Sequence, residues 1–163
     1  MKLSFEKLFL LIILFFFNSQ LIEAQVVSAG FKYDKKGMFH AALNYPFLLD
    51  REKPFDFYAG LDFTTKNNEV PSGLAPQLGF AYYLVDDKAK DFLISANLNA
   101  GYLFDFNKEF DNQFRVTPHL YFELLSLLNL RVGYEYLMPF NKGFLFVSIG
   151  IGGGFMFRHF SIM

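Results

Sequence analysis

Two arginines and two glutamates form the most organised polar group in the sequence. Arg115 and Glu123 lie on one predicted strand, and Arg131 and Glu135 lie on the next. If residues 125–127 form the turn between these strands, Glu123 is diagonal to Arg131 and Arg115 is diagonal to Glu135. Because a buried charge needs such a partner, this pattern predicts an interior ion network with a structural role. A catalytic or transport role for the same residues is the alternative.

The three histidines, His40, His119 and His159, are the candidates for metal binding. His40 and His119 fall on the same face of their predicted strands as the charged group, so they could approach each other across a narrow interior. No pair has a metal-ligand spacing such as His-x-x-x-His, and we therefore expect no metal site. The chain contains no cysteine, which removes disulfides and thiolate chemistry.

His159 and Ser161 form a His-x-Ser pair near the end of the sequence. A Ser–His dyad needs a third group that orients the histidine, and the sequence offers no identifiable carboxylate for that task. The glycine-rich run 150–154 opens no helix, so it lacks the context of a phosphate-binding loop. We therefore predict no catalytic residue and no cofactor.

A period-two pattern predicts the elements that position these residues. In the segment 92–106 the even positions are apolar or aromatic, and most odd positions are polar or glycine. Side chains alternate across a strand, so such a segment has one apolar face, whereas a helix would scatter its polar residues. About eight segments follow this pattern: 26–33, 38–45, 55–64, 74–84, 92–106, 113–124, 128–137 and 144–158.

Eight alternating strands without a predicted helix indicate an all-β, antiparallel up-and-down barrel. Such a barrel is either soluble, of the lipocalin kind with apolar residues inside, or transmembrane with the faces reversed. The polar face is small and sparsely charged, which suits a narrow interior. The other face carries no charge, as lipid contact requires, since Lys or Arg at mid-membrane costs about 2–4 kcal/mol. We expect the transmembrane arrangement.

Aromatic residues and prolines refine this expectation. The chain has 24 Phe and 9 Tyr but no Trp. Several aromatics fall at strand ends, where aromatic girdles meet lipid headgroups. Pro76 and Pro118 fall within predicted strands, and because proline cannot donate to a β-ladder, we expect a bulge or a rim position at each.

The first 24 residues have the layout of a secretory signal peptide. Lys2 and Lys7 precede the apolar run 8–17, and Ala24 precedes the expected cleavage site. The apolar run is too short to span a bilayer as a helix. The domain organisation is therefore a signal peptide over 1–24 and one barrel over 25–163. With a net charge of −1, nothing in the chain favours nucleic acid as a partner.

The whole 25–163 region resembles the small eight-stranded bacterial outer-membrane barrels of the OmpA-transmembrane-domain and OmpX type. The Ala24-Gln25 junction and the glycine-rich last strand are similar to such proteins of the Bacteroidetes group. This resemblance implies location in the outer membrane of a Gram-negative cell. It also implies outer-membrane lipids and the barrel-insertion machinery as partners, and a non-enzymatic role in envelope structure or surface interaction.

One enzymatic alternative also comes from a resemblance. Outer-membrane lipid A deacylases are eight-stranded barrels with a His-x-Ser pair that is usually followed by Asn, whereas Ile162 follows Ser161 here. The remaining alternative is a soluble lipocalin-like carrier of apolar ligands.

Overall fold

The chain folds into a closed barrel of eight antiparallel strands, each paired with its neighbour in chain order, and β1 closes on β8. The computed structural model describes residues 26–47, 53–106, 110–125 and 127–151. The strands are β1 (Val26–Asp34), β2 (Lys36–Phe47), β3 (Phe55–Thr64), β4 (Gly73–Asp87), β5 (Phe92–Asp105), β6 (Gln113–Leu124), β7 (Leu128–Met138) and β8 (Lys142–Ile151). The predicted all-β up-and-down barrel is confirmed. No helix within the described ranges has the length and apolar character needed to cross a bilayer.

Strand boundaries agree closely with the sequence pattern. The bounds of β3 and β6 are those predicted, and β2 extends two residues beyond its predicted segment at each end. The largest difference at a described strand end is in β4, which continues to Asp87, three residues beyond the predicted segment 74–84. A register shift between Tyr83 and Val85 marks a β-bulge that lets β4 run on. The predicted signal peptide (1–24), the end of the last predicted segment (152–158) and the His159/Ser161 pair lie outside the described residues.

The expectation for the prolines is wrong for Pro118, which lies in the middle of β6 and pairs with Leu98 of β5. The pairing of β6 with β7 is interrupted at Pro118 and resumes in the same register, without a bulge. Pro76, the fourth residue of β4, likewise causes no register shift against β5. Each proline therefore leaves a local gap in one β-ladder. The residue pairs on either side of the gap keep the two strands in register.

Polar side chains point into the barrel and apolar side chains point outward. In β5, Ser95 and Asn99 are buried, whereas Leu98 and Tyr102 are 48% and 44% exposed. Among the described residues, 18 buried side chains are polar or charged and only 10 are hydrophobic. This is the reverse of a water-soluble core, where buried residues are mostly apolar. The predicted assignment of the polar face to the interior is confirmed.

One end of the barrel is filled by an apolar cluster, which we call the apolar plug. This end carries the β1–β2 turn at Lys35 and the link 65–72 between β3 and β4, and we call it the Lys35 end. Val70 of the link is buried, and the Ser72 amide donates to Asp105 Oδ1 at 2.9 Å, which fixes the link to β5. The plug comprises Met38, Val70, Ala75, Leu103, Leu137 and Phe144.

Candidate functional site in the barrel interior

A continuous chain of charged side chains crosses the interior below the apolar plug. Lys32 Nζ lies 2.6 Å from Glu135 Oε1, and the same oxygen lies 3.4 Å from Arg115 Nη1. Arg115 Nη2 lies 2.5 Å from Asp62 Oδ2, and Asp62 Oδ1 lies 2.6 Å from His40 Nε2. We call these five residues the charge chain. It joins β1, β7, β6, β3 and β2, so it connects both sides of the lumen.

The charge chain is buried and nearly neutral. Its side chains are between 4% and 11% exposed. Two cations, Lys32 and Arg115, face two carboxylates, Glu135 and Asp62, and His40 adds a hydrogen-bonding contact. Removing one partner from a buried pair is costly because it leaves an uncompensated charge. The arrangement therefore holds the strands together across the lumen.

Of the four predicted residues, the structure brings Arg115 and Glu135 together. The register between β6 and β7 is the predicted one, with Glu123 opposite Asn129 and diagonal to Arg131. No ion pair joins Glu123 to Arg131 within the described strands. Glu123 accepts a hydrogen bond of 2.5 Å from the Tyr121 hydroxyl instead.

Arg131 occupies a different environment from Arg115. Its Nη2 donates to Ser28 Oγ across the β7–β8–β1 side of the barrel. Its guanidinium carbon lies 6.0 Å from the centre of the Tyr121 ring, within cation–π range. A hydroxyl and an aromatic face, rather than a carboxylate, therefore contact this cation.

Lys32, His40 and Asp62 are members of the charge chain that the sequence reasoning did not assign to the network. All three alternate with apolar residues along their strands and so fall on the polar face, which is the signal in the sequence that could have identified them. Lys32 and Asp62 contact Glu135 on β7 and Arg115 on β6, far away in the sequence, and only closure of the barrel brings these pairs within reach. His40 contacts Asp62 on the neighbouring strand β3.

A second, uncharged chain of hydrogen bonds runs along the same interior. The Tyr58 hydroxyl donates to Asn99 Oδ1, and Asn99 Nδ2 donates to Gln77 Oε1 at 3.2 Å. Gln77 Nε2 then donates to Asn44 Oδ1 at 3.3 Å. The Tyr58 ring covers Gly79, where a Cβ atom would overlap the ring carbons. These hydrogen bonds pair donor and acceptor side chains of the four strands from β2 to β5.

A small polar cavity remains between these chains, with a volume of about 20 Å³. His40 and His119 both border it, as their shared strand face predicted. His119 Nδ1 lies 3.2 Å from the Thr117 carbonyl oxygen. The described residues contain no cluster of three or more His, Cys, Asp or Glu side chains suited to a metal ion. The volume has room for one or two water molecules.

Comparisons with protein families, with curated proteins and with solved structures find no match for this chain.

Proposed function

We propose that this chain is an integral outer-membrane β-barrel with a non-enzymatic role in envelope structure or surface interaction. The observation that carries this proposal is the inverted distribution of side chains. Between the strand ends, the outward positions have no charged residue, while Lys32, Arg115, Asp62 and Glu135 are buried inside. A soluble carrier barrel encloses its apolar side chains and exposes its polar ones, so this distribution favours lipid as the outer neighbour.

The order of side chains along the outer face supports the same proposal. Aliphatic residues occupy the middle of the wall: Leu61, Leu78, Leu98, Leu120, Val132 and Ile149 are all at least 40% exposed. Exposed aromatics lie closer to the ends, with Tyr33 and Phe104 towards the Lys35 end and Tyr45 and Tyr82 towards the opposite end. Aromatic girdles on both sides of an aliphatic band are typical of membrane barrels.

The interior supports a structural rather than a transport role. The apolar plug fills the Lys35 end, and the charge chain crosses the lumen below it. The cavity between the charge chain and the uncharged hydrogen-bond chain measures only about 20 Å³. An eight-stranded barrel has an interior just wide enough for side chains. The proposal includes export by the 1–24 signal peptide, contact with outer-membrane lipids and assembly by the barrel-insertion machinery.

Cell fractionation combined with a gel-mobility assay tests the location. The full chain is expressed in a Gram-negative host, and the outer-membrane, inner-membrane and soluble fractions are compared. We expect the protein in the outer membrane, extractable only with detergent. Its mobility on a denaturing gel should change when the sample is boiled, because a closed barrel resists the detergent until it is heated.

Two outcomes would contradict the proposal. Recovery of the folded protein from the soluble fraction without detergent would instead support the lipocalin-like carrier. A change in lipid A acylation that depends on His159 or Ser161 would support the deacylase alternative. A His159→Ala/Ser161→Ala variant at equal expression is the matched control for the second measurement.

A further inference from the structure

Four exposed leucines form the hairpin turn between β6 and β7, and we call them the leucine turn. They are between 48% and 63% exposed, and they are Leu124, Leu125, Leu127 and Leu128. Turns that face water are usually rich in Gly, Asn, Asp and Ser. No charged residue lies between Glu123 and Arg131 in the sequence. The composition of this turn is therefore unusual for a connection in contact with water.

The other six connections of the barrel are marked by positive charge. Each contains or directly adjoins a lysine, and these lysines are Lys35, Lys53, Lys66, Lys88, Lys108 and Lys142. A lysine near the end of a membrane strand keeps its charge in water or among the lipid headgroups. The leucine turn has no such residue, so it is suited to a less polar environment than the other connections.

The backbone of Leu125 adopts a conformation that is unfavourable for leucine. Its φ of 56° lies in the left-handed region, which Gly and Asn adopt more easily. The Leu127 amide donates to the Leu124 carbonyl oxygen at 3.3 Å, so the turn satisfies part of its own backbone hydrogen bonding. Insertion of the exposed Leu125 side chain into an apolar phase would offset the strain in its backbone.

The position of the turn along the barrel wall brings it within reach of acyl chains. Leu120 and Val132 pair in the middle of the wall, and Leu124, which pairs with Leu128, is only four residues further along β6. On strands tilted by about 35–45°, four residues advance by about 10 Å along the barrel axis. The apolar band of membrane barrels is about 25 Å tall and so ends about 12 Å from its middle. The leucine turn therefore lies at the edge of this band and continues the apolar outer face of β6 and β7.

We propose that the leucine turn inserts into the bilayer at the boundary between acyl chains and headgroups, where lipid acyl chains surround its four side chains. This inference rests on the proposed membrane location of the barrel. The neighbouring β4–β5 hairpin has a charged tip, in which Lys88 and Lys90 are exposed, and it projects into water. The rim at this end is thus anchored in lipid on the β6–β7 side only. An apolar segment of another protein is the alternative occupant.

Quenching of single tryptophans by brominated lipids tests the insertion. The chain has no Trp, so an introduced Trp is the only reporter. Leu125→Trp is compared with Lys35→Trp, a control at an exposed turn residue with a similar φ of 57°, after folding into phosphatidylcholine vesicles. We expect lipids brominated near the headgroup end of their acyl chains to quench Leu125→Trp strongly. Iodide, present on both sides of the membrane, should quench Lys35→Trp instead.

Leu98→Trp, in the middle of β5, separates a failure of this inference from a failure of the proposed function. If deeply brominated lipids quench Leu98→Trp while iodide alone quenches Leu125→Trp, the barrel spans the bilayer but the turn lies in water, open to a protein partner, and the insertion is wrong. If no brominated lipid quenches Leu98→Trp, the membrane location fails, and the insertion fails with it. Equal lipid quenching of Leu125→Trp and Lys35→Trp would show that the preference of tryptophan for interfaces sets the depth, and would also overturn the proposal.

Replacement of Leu125 by Asn gives an independent measurement without tryptophan. Asn tolerates the left-handed conformation better than Leu, so Leu125→Asn should raise the urea midpoint of unfolding if the side chain at this position is only in water. If the side chain is inserted, the loss of its lipid contact should lower the midpoint in vesicles. We expect the lower midpoint. An unchanged or higher midpoint would contradict the insertion.

Discussion

Asp62 Oδ2 and Arg115 Nη2 lie 2.5 Å apart although β3 and β6 are not neighbours in the barrel. Both side chains are almost completely buried, at 11% and 4% exposure. The pair therefore spans the lumen and acts as a brace between two parts of the wall that share no backbone hydrogen bond. Glu135 and Lys32 extend the brace to β7 and β1.

Neutralising Asp62 should destabilise the barrel strongly. The Asp62→Asn variant leaves Arg115 with part of its charge uncompensated, and breaking a buried pair typically costs about 3–5 kcal/mol. Urea unfolding in detergent, followed by gel mobility, measures the loss. Asp111→Asn, at an exposed position before β6, is the control and should be close to neutral. Equal effects of the two variants would show that the brace contributes nothing to stability.

Lysine substitutions at two depths of the outer face distinguish lipid from water as the neighbour. Leu98 in the middle of β5 and Leu124 at the end of β6 are both 48% exposed. In a membrane, Leu98→Lys should cost about 2–4 kcal/mol and Leu124→Lys about 0–1 kcal/mol. Unfolding from lipid vesicles gives both values. If both lysines were equally tolerated, the outer face would be in contact with water.

Adding a methyl group at Gly79 should destabilise the interior through Tyr58. A Cβ there overlaps the Tyr58 ring, and overpacking of this kind costs about 1–3 kcal/mol. Gly37→Ala is the matched control, because a Cβ at Gly37 meets no atom within 4 Å. Unfolding midpoints of the two alanine variants are compared. The clash is absent from the double variant Gly79→Ala/Tyr58→Ala. We therefore expect the double variant to be as stable as Tyr58→Ala alone.

Truncation of Leu137 tests the apolar plug. Leu137 is 1% exposed, and its replacement by Ala leaves a cavity that should cost about 2–5 kcal/mol. Leu145→Ala removes the same atoms from a side chain that is 77% exposed on the outer face, where solvent or lipid fills the space. We expect the first variant to unfold at a clearly lower urea concentration. A similar loss for both would mean that the plug is loosely packed.

Local patterns of the sequence predict much of this fold. The alternation of apolar and polar residues gives the bounds of β3 and β6, and the turn at 125–127 gives the register that places Arg115 diagonal to Glu135. These features depend on residues that are close in the sequence. A register shifted by one residue would turn the whole polar face of a strand outward, so the alternating pattern strongly limits which register is possible.

The features that the sequence did not predict depend on contacts between distant strands. Asp62 joins the network because its partner on β6 lies 53 residues further along the chain, and no local spacing encodes that distance. The sequence predicts a bulge or a rim position at Pro118, but its β5 and β7 neighbours hold the register across the missing donor in the middle of β6. The bulge lies at Tyr83 instead, where no proline or glycine marks it.

The charge chain also has a consequence for how the barrel can assemble. Lys32 is supplied by the first strand and Glu135 by the seventh, so a half-formed sheet in an apolar environment carries ions without their counterparts. Such intermediates are disfavoured by the cost of an unmatched buried charge. Docking of the last strands would therefore supply the missing counter-charges as well as the missing backbone hydrogen bonds. Both contributions would favour the correctly closed barrel.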